Sequence, residues 1–227
     1  MDGVLTDTAS VHAVAWKQLF DGFLAAWATE HEVAFVPFDA ARDYREFVDG
    51  KPREDGVRSF LASRGIDLDS RRTGTSVEAL SDGKNGILLR LLQKRGVRAF
   101  PGSVSFLAAV RAAGWLTAVV SASANTSAVL AAAGLAGQFD DQVDGLIAKD
   151  LGLAGKPSPD SFLHAASVMG LRPEEAAVFE DSVAGVAAAR AGRFGVVVGV
   201  DRTGNAAELT SHGADIVVGD LAELLER

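Results

Sequence analysis

Residues 176–200 read Ala-Ala-Val-Phe-Glu-Asp-Ser-Val-Ala-Gly-Val-Ala-Ala-Ala-Arg-Ala-Gly-Arg-Phe-Gly-Val-Val-Val-Gly-Val. An apolar run, Ala176–Phe179, is followed by an alanine-rich segment over 182–191 and then by a second apolar run, Phe194–Val200. The order predicts strand, helix, strand. The same alternation extends outward in both directions. Upstream, strands are predicted at Leu116–Val120 and around Val143–Ile147. Helices over Ser103–Ala113, 126–133 and 159–169 end near Gly114, Gly134 and Gly170, where a glycine C-cap is favoured. Downstream come a helix over 205–212, a strand at Ile216–Val218 and a last helix over 220–226. Apolar strands separated by helices imply a parallel sheet covered on both faces. The expected fold is α/β with a doubly wound parallel sheet.

Residues 9–95 have a different character. Trp16, Phe20, Phe23, Leu24 and Trp27 recur at helical spacing, so 9–29 reads as an amphipathic helix. Residues 54–64, with Val57, Phe60 and Leu61, read likewise, as do 78–94, with Ile87, Leu88, Leu91 and Leu92. No strand is predicted there. A small helical domain, 9–95, is thus expected between two parts of one α/β core, 1–8 and 96–227.

Composition narrows the function. The 227 residues are 48% hydrophobic, which excludes general disorder, and carry a net charge of −8. That balance argues against a nucleic-acid partner, since phosphate backbones demand a basic face. No apolar run approaches the roughly 18 residues that span a membrane, so no membrane partner is expected. The N-terminus has no basic region ahead of an apolar stretch, and no secretory signal is expected. The absence of cysteine excludes disulfides, thiolate metal sites and a cysteine nucleophile, and a cytoplasmic location is expected. No G-x-x-x-x-G-K-[ST] loop is present and no G-x-G-x-x-G opens a helix, which disfavours nucleotide and dinucleotide binding.

Ligands of an open parallel sheet bind outside the carboxyl ends of its strands. There the sequence places Ser121-Ala122-Ser123-Ala124-Asn125, Glu180-Asp181-Ser182 and the loop Gly155-Lys156-Pro157-Ser158-Pro159-Asp160. The N-terminus, Met1-Asp2-Gly3-Val4-Leu5-Thr6-Asp7-Thr8, adds two carboxylates. Oxygen donors without His or Cys suit Mg²⁺ rather than Zn²⁺. A hydroxyl, a lysine and Mg²⁺ around one point are what phosphoryl transfer requires. Each piece alone has a plainer reading. Glu180-Asp181 could be a helix cap, Ser121 to Asn125 a polar turn, Lys156 a solvated loop lysine, and Asp2 and Asp7 surface turn residues.

Together the four segments resemble the motifs of the haloacid dehalogenase superfamily of aspartate-nucleophile phosphotransferases, and within it the β-phosphoglucomutase group. Asp2-Gly3-Val4-Leu5-Thr6-Asp7-Thr8 resembles the tail of the first motif and Val119-Val120-Ser121-Ala122-Ser123 the second. Lys156-Pro157-Ser158-Pro159-Asp160 resembles the third and Phe179-Glu180-Asp181-Ser182 the fourth. The resemblance spans essentially the whole chain. It implies that Asp2 is the general acid/base and that its backbone carbonyl binds Mg²⁺, with Glu180 and Asp181 as carboxylate ligands. It implies that Ser121 and the Ala122 amide hold the transferring phosphate and that Lys156 balances its charge. In the helical cap, Gly50 and Arg53 match a loop that grips a sugar phosphate, and a guanidinium suits that task. Ser123 and Asn125 match positions that meet a second phosphate. Thr8 is grouped with the substrate-binding positions. Lys84 matches a substrate-facing cap lysine, with an exposed helix lysine as its alternative. Trp16 matches a position near the sugar, although core packing alone would explain it.

The family's first motif is Asp-x-Asp at the end of a hydrophobic strand, and its first Asp is the nucleophile. Met1 occupies the middle position, so that Asp and the first core strand are missing from the sequence. In the superfamily the strand lies between those predicted at 116–120 and 176–179. The expectation is that the natural start lies upstream; a truncated, inactive phosphate-binding homologue is the alternative. Asp49 and Ala124 stand where the mutases carry lysine, which leaves the identity of the sugar phosphate open. The expected activity is conversion of β-glucose 1-phosphate to glucose 6-phosphate, with a sugar-phosphate phosphatase as the runner-up. The expected partner is a small sugar phosphate, and the expected state a monomer.

Overall fold

Val196, Val197, Val198 and Val200 are β-branched and suit a pleated, buried surface. They form the middle strand of a parallel three-stranded sheet. The structure, a computed structural model, describes residues 1–48, 51–68 and 75–225. Its helices are α1 (Thr8–Glu30), α2 (Arg53–Ser63), α3 (Val77–Arg95), α4 (Pro101–Ala112), α5 (Thr126–Ala132), α6 (Gly145–Asp150), α7 (Asp160–Val168), α8 (Val183–Ala191) and α9 (Ala206–Ser211). Its strands are β1 (Ala118–Val120), β2 (Asp141–Val143), β3 (Ala177–Glu180), β4 (Val196–Val200) and β5 (Ile216–Val218). A π-helical turn covers Tyr44–Val48, and 3₁₀ turns cover Pro173–Glu175 and Leu221–Leu224. The chain divides into two compact units, Met1–Thr8 with Val97–Arg227, and Ala9–Gly96.

In the first unit β3, β4 and β5 pair in parallel, with Phe179 opposite Val198 and Val198 opposite Ile216. Successive residues of β4 face opposite ways. Val197 packs with Val178, Val186, Ala189 and Leu209, which brings α8 and α9 onto one face. Val198 and Val200 pack with Val4, Val218 and Leu221, against the N-terminal turn and the C-terminal 3₁₀ segment. Each such valine or leucine contributes about 1.5–3 kcal/mol by leaving water. Both faces are thus covered, as a parallel sheet demands.

β1 and β2 pair in parallel but form a separate two-stranded sheet. Among the described residues no ladder joins β1 to β3, although Val120 packs against the cluster that holds Val178. The break falls where the resemblance places its first core strand. Residues 1–8 make only isolated bridges, Asp2 with Thr6 and Thr6 with Ala99.

Three sequence expectations are corrected. The strand expected around Val143–Ile147 ends at Val143, and its second half is helix α6. The reason is Asp144, whose Oδ1 accepts from Leu146 N at 2.9 Å and Ile147 N at 3.0 Å and so caps a helix inside the apolar run. The helix expected over 220–226 is a 3₁₀ turn, Leu221–Leu224, capped by Asp220. β1 is also shorter than expected, because Thr117 N donates to the Asp140 carboxylate at 2.7 Å.

The second unit is helical, with Phe20 at its centre. The Phe20 ring lies 5.2 Å from Trp16, 5.2 Å from Phe38 and 4.2 Å from Phe60. Asp43, 2% exposed, is held by Arg64 at 2.7 Å, by Arg42 at 3.0 Å and by the Asp39 N–H at 3.0 Å.

Candidate active site

β3 ends at Glu180, and Asp181 and Ser182 turn the chain into α8. Ser182 caps that helix by accepting from Gly185 N at 3.1 Å, and its hydroxyl donates to Glu180 Oε2 at 2.9 Å. Glu180 is folded back over Gly185, where a Cβ would collide with its carboxylate. The same carboxylate forms an ion pair with Lys156, whose Nζ also lies 4.8 Å from the centre of the Phe162 ring. Burial acts to raise the Glu180 pKa. The Lys156 charge, the Met1 ammonium and the hydrogen bonds from Lys156 and Ser182 outweigh it, so Glu180 stays below its ordinary value.

Asp181 behaves in the opposite way. Burial, then the neighbouring Glu180 charge, push its carboxyl up to about 6. That carboxylate lies against the Cα of Gly3, and any Cβ there would overlap it. Gly3 also has φ +66°, a conformation that L side chains rarely adopt. The turn after Asp2 is therefore shaped both by its own backbone and by Asp181. It is closed by Gly3 N donating to Thr6 O at 2.9 Å and Leu5 N donating to Met1 O at 2.8 Å. The Thr8 hydroxyl donates to Asp2 Oδ1.

Asp2, Lys156, Glu180 and Asp181 are thus brought together through the Gly3 contact and the Lys156 ion pair. The Ser121 loop is built differently. Ser121 N donates to Val143 O at 2.9 Å, Ser121 Oγ accepts from Ser123 N at 3.1 Å, and Ser123 Oγ accepts from Asn125 N at 3.1 Å. Gly145 lies so close to the Ala122 carbonyl that a Cβ would collide with it. This loop is held rigid at the end of β1 by its own bonds and those to β2.

In the second unit Lys84 is buried, its Nζ 2.9 Å from His12 Nδ1 and 5.1 Å from the centre of the Trp16 ring. It is not the exposed helix lysine of the plainer reading. His12 went unnoticed in the sequence, though it lies four residues before Trp16 on the same helix face. Trp16 belongs to the core of its unit. Arg53 Nη1 donates to Ser81 O at 3.4 Å and lines an open pocket of about 460 Å³ with Glu54, Asp55, Glu78 and Asp82. Gly50 and Asp49 lie outside the described residues.

The haloacid dehalogenase-like hydrolase family matches residues 1–193. The chain belongs to that family. It is an enzyme of the phosphotransferase and phosphatase type. It is 54% identical to the β-phosphoglucomutase of Mycobacterium bovis over 99% of this chain and 89% of that one. Among solved structures it resembles the β-phosphoglucomutase of Clostridium difficile, at 26% identity and a TM-score of 0.71 over 98% of this chain and 89% of that one. It also resembles a family hydrolase from Deinococcus radiodurans with bound phosphate and sodium, at 27% identity and a TM-score of 0.70 over 99% and 90%. No helix among the described residues is long and apolar enough to cross a membrane.

Proposed function

We propose that the chain moves a phosphoryl group between oxygens of a hexose phosphate with the help of Mg²⁺, converting β-glucose 1-phosphate to glucose 6-phosphate. The meeting of the Asp2–Gly3 turn with Asp181, beside the Lys156–Glu180 pair, carries this reading. The similarity to a mycobacterial β-phosphoglucomutase supports the same substrate class.

The donor set fits a hard divalent cation. Burial and the Glu180 charge on Asp181 outweigh the Met1 ammonium, its own backbone N–H and Lys156, and its raised pKa marks a negative charge that is under-compensated. No three His, Cys, Asp or Glu side chains form a ready-made cluster among the described residues. Mg²⁺ does not need one, because it keeps several waters and binds through one or two carboxylates. Asp181, Glu180 and the Asp2 carbonyl would hold it. When bound it supplies charge neutralisation at the transferring phosphoryl group.

The chain's own groups have these roles. Asp2 protonates the leaving oxygen and then takes the proton of the incoming hydroxyl. Thr8 occupies one oxygen of that carboxylate and fixes its orientation. Lys156 balances the phosphate charge, while Ser121 and the Ala122 amide hold its oxygens. Arg53 and Lys84 bind the remainder of the sugar phosphate, with Ser123 and Asn125 serving a second phosphate.

The test uses the chain carrying an added N-terminal strand that ends in Asp. It is given β-glucose 1-phosphate, Mg²⁺ and a trace of the hexose bisphosphate. Formation of glucose 6-phosphate is expected. Release of inorganic phosphate in its place would make the enzyme a phosphatase, and no reaction alongside Mg²⁺-dependent phosphate binding would make it a binding homologue.

A further inference from the structure

Arg202 follows β4 and is far from every motif in sequence, yet its guanidinium reaches the Asp2 turn. Its Nε donates to Gly3 O at 3.1 Å. Nη1 donates to Gly219 O at 2.8 Å and to Asp220 Oδ2 at 2.9 Å, and Nη2 lies 3.4 Å from Ser103 Oγ. Ser103 in turn donates to Val4 O at 2.6 Å. The guanidinium plane lies over Phe100, with Cζ 3.8 Å from the ring centre, and the side chain is 18% exposed. Two successive carbonyls after Asp2 are therefore held through one planar cation.

We propose that Arg202 is the positioning residue that fixes the Gly3 carbonyl and thereby aims the Asp2 carboxylate. Gly3 is gripped on two sides, at its Cα by the Asp181 carboxylate and at its carbonyl by Arg202 Nε. Neither grip alone fixes the turn, since a glycine at positive φ is free to rotate its peptide. A guanidinium is suited to this place because its rigid fork serves four backbone or side-chain acceptors at once, more than the three donors of a lysine ammonium. Arg202 acts through Asp2 and touches no reacting atom. The catalytic consequence rests on the proposed function; the anchoring of the turn does not.

The test is amide hydrogen exchange by NMR on the full chain and on Arg202→Gln and Arg202→Lys, followed by titration of Mg²⁺ with inorganic phosphate. In R202Q the Gly3 and Leu5 amides are expected to exchange about ten-fold faster or more, the factor that one charge-assisted hydrogen bond represents, while Val198 and Val200 keep wild-type rates. R202K, with its charge retained and its fork lost, is expected to fall between. Phosphate affinity in Mg²⁺ is expected to drop about ten-fold in R202Q, by the same reasoning. Unchanged exchange at Gly3 and Leu5, a rise that β4 shares equally, or phosphate affinity equal to wild type would each overturn the proposal. A wild-type chain that binds no phosphate in Mg²⁺ would overturn the proposed function instead, and exchange at Gly3 would still decide the role of Arg202.

Discussion

Asp43 and Asp181 are both carboxylates withdrawn from water, and their surroundings treat them in opposite ways. Burial acts to raise the Asp43 pKa, but the Asp39 N–H and the Arg64 and Arg42 guanidiniums outweigh it and hold the carboxyl below its ordinary value. Asp181 has burial and the Glu180 charge working together, and its carboxyl is pushed up to about 6. Asp43 is a completed ion cluster that joins α2 to the segment before it. Asp181 is an incomplete one, with its carboxylate against the Gly3 turn and the Glu180 charge beside it outweighing the positive groups nearby. A buried acid with its partners in place holds the fold together; a buried acid left short of positive charge marks a place where a cation or a proton is meant to arrive.

The Lys156–Glu180 pair lies between these extremes, and breaking it should have the largest effect. Lys156→Met leaves Glu180 buried beside Asp181 with no side-chain cation to oppose it. Urea unfolding at pH 7 should show a loss of about 3–5 kcal/mol, the usual result when one partner of a buried pair is removed. The Glu180 pKa is depressed in the folded state, so the pair's contribution is present above the ordinary value of 4.5 and lost as pH falls through the depressed value. The gap between wild type and variant should therefore close in acid. A gap that persists undiminished at low pH would mean that Lys156 acts by packing on Phe162.

Asp43→Asn attacks the completed cluster and should weaken the protein less, by about 2 kcal/mol, because the amide still accepts from Arg64 or the Asp39 N–H. The sign is the same as for Glu180. The folded pKa lies below the ordinary 3.8, so the contribution is present above about pH 4 and lost below it. Thermal unfolding of wild type and variant should converge as pH falls through the depressed value. Neither Mg²⁺ nor phosphate should alter this difference, which separates Asp43 from the candidate site.

The comparison also shows what a sequence can convey. The β3–α8–β4 unit was legible because valine-rich strands and an alanine-rich helix keep their character under any packing. Two of the site's four segments were legible as strand ends, after β1 and at the end of β3, and Lys156 does pair with Glu180. Arg202 was not, since its role depends on Gly3, 199 positions away, and an arginine after a strand has no local signature. His12 was hidden because its meaning comes from Lys84 on another helix. The strand misread around Val143–Ile147 failed for a local reason: two bonds from Asp144 outweigh the apolar run that follows it.

Asp181→Asn should have the opposite sign. A carboxyl that titrates near 6 in the folded chain and at 3.8 when unfolded binds more protons in the native state across that interval. Without Mg²⁺, wild-type stability should therefore fall as pH rises from about 4 to 6, and the deficit at pH 7 should be about 1–3 kcal/mol. Asparagine carries no such charge, so the difference between variant and wild type should open over that interval, with the variant at least as stable as wild type at pH 7. Adding Mg²⁺ should raise the midpoint of wild-type thermal unfolding and leave the variant unmoved, because a ligand stabilises only the state that binds it. A variant less stable than wild type at pH 7 without Mg²⁺ would place Asp181 with Asp43, as a structural acid whose partners are already in place.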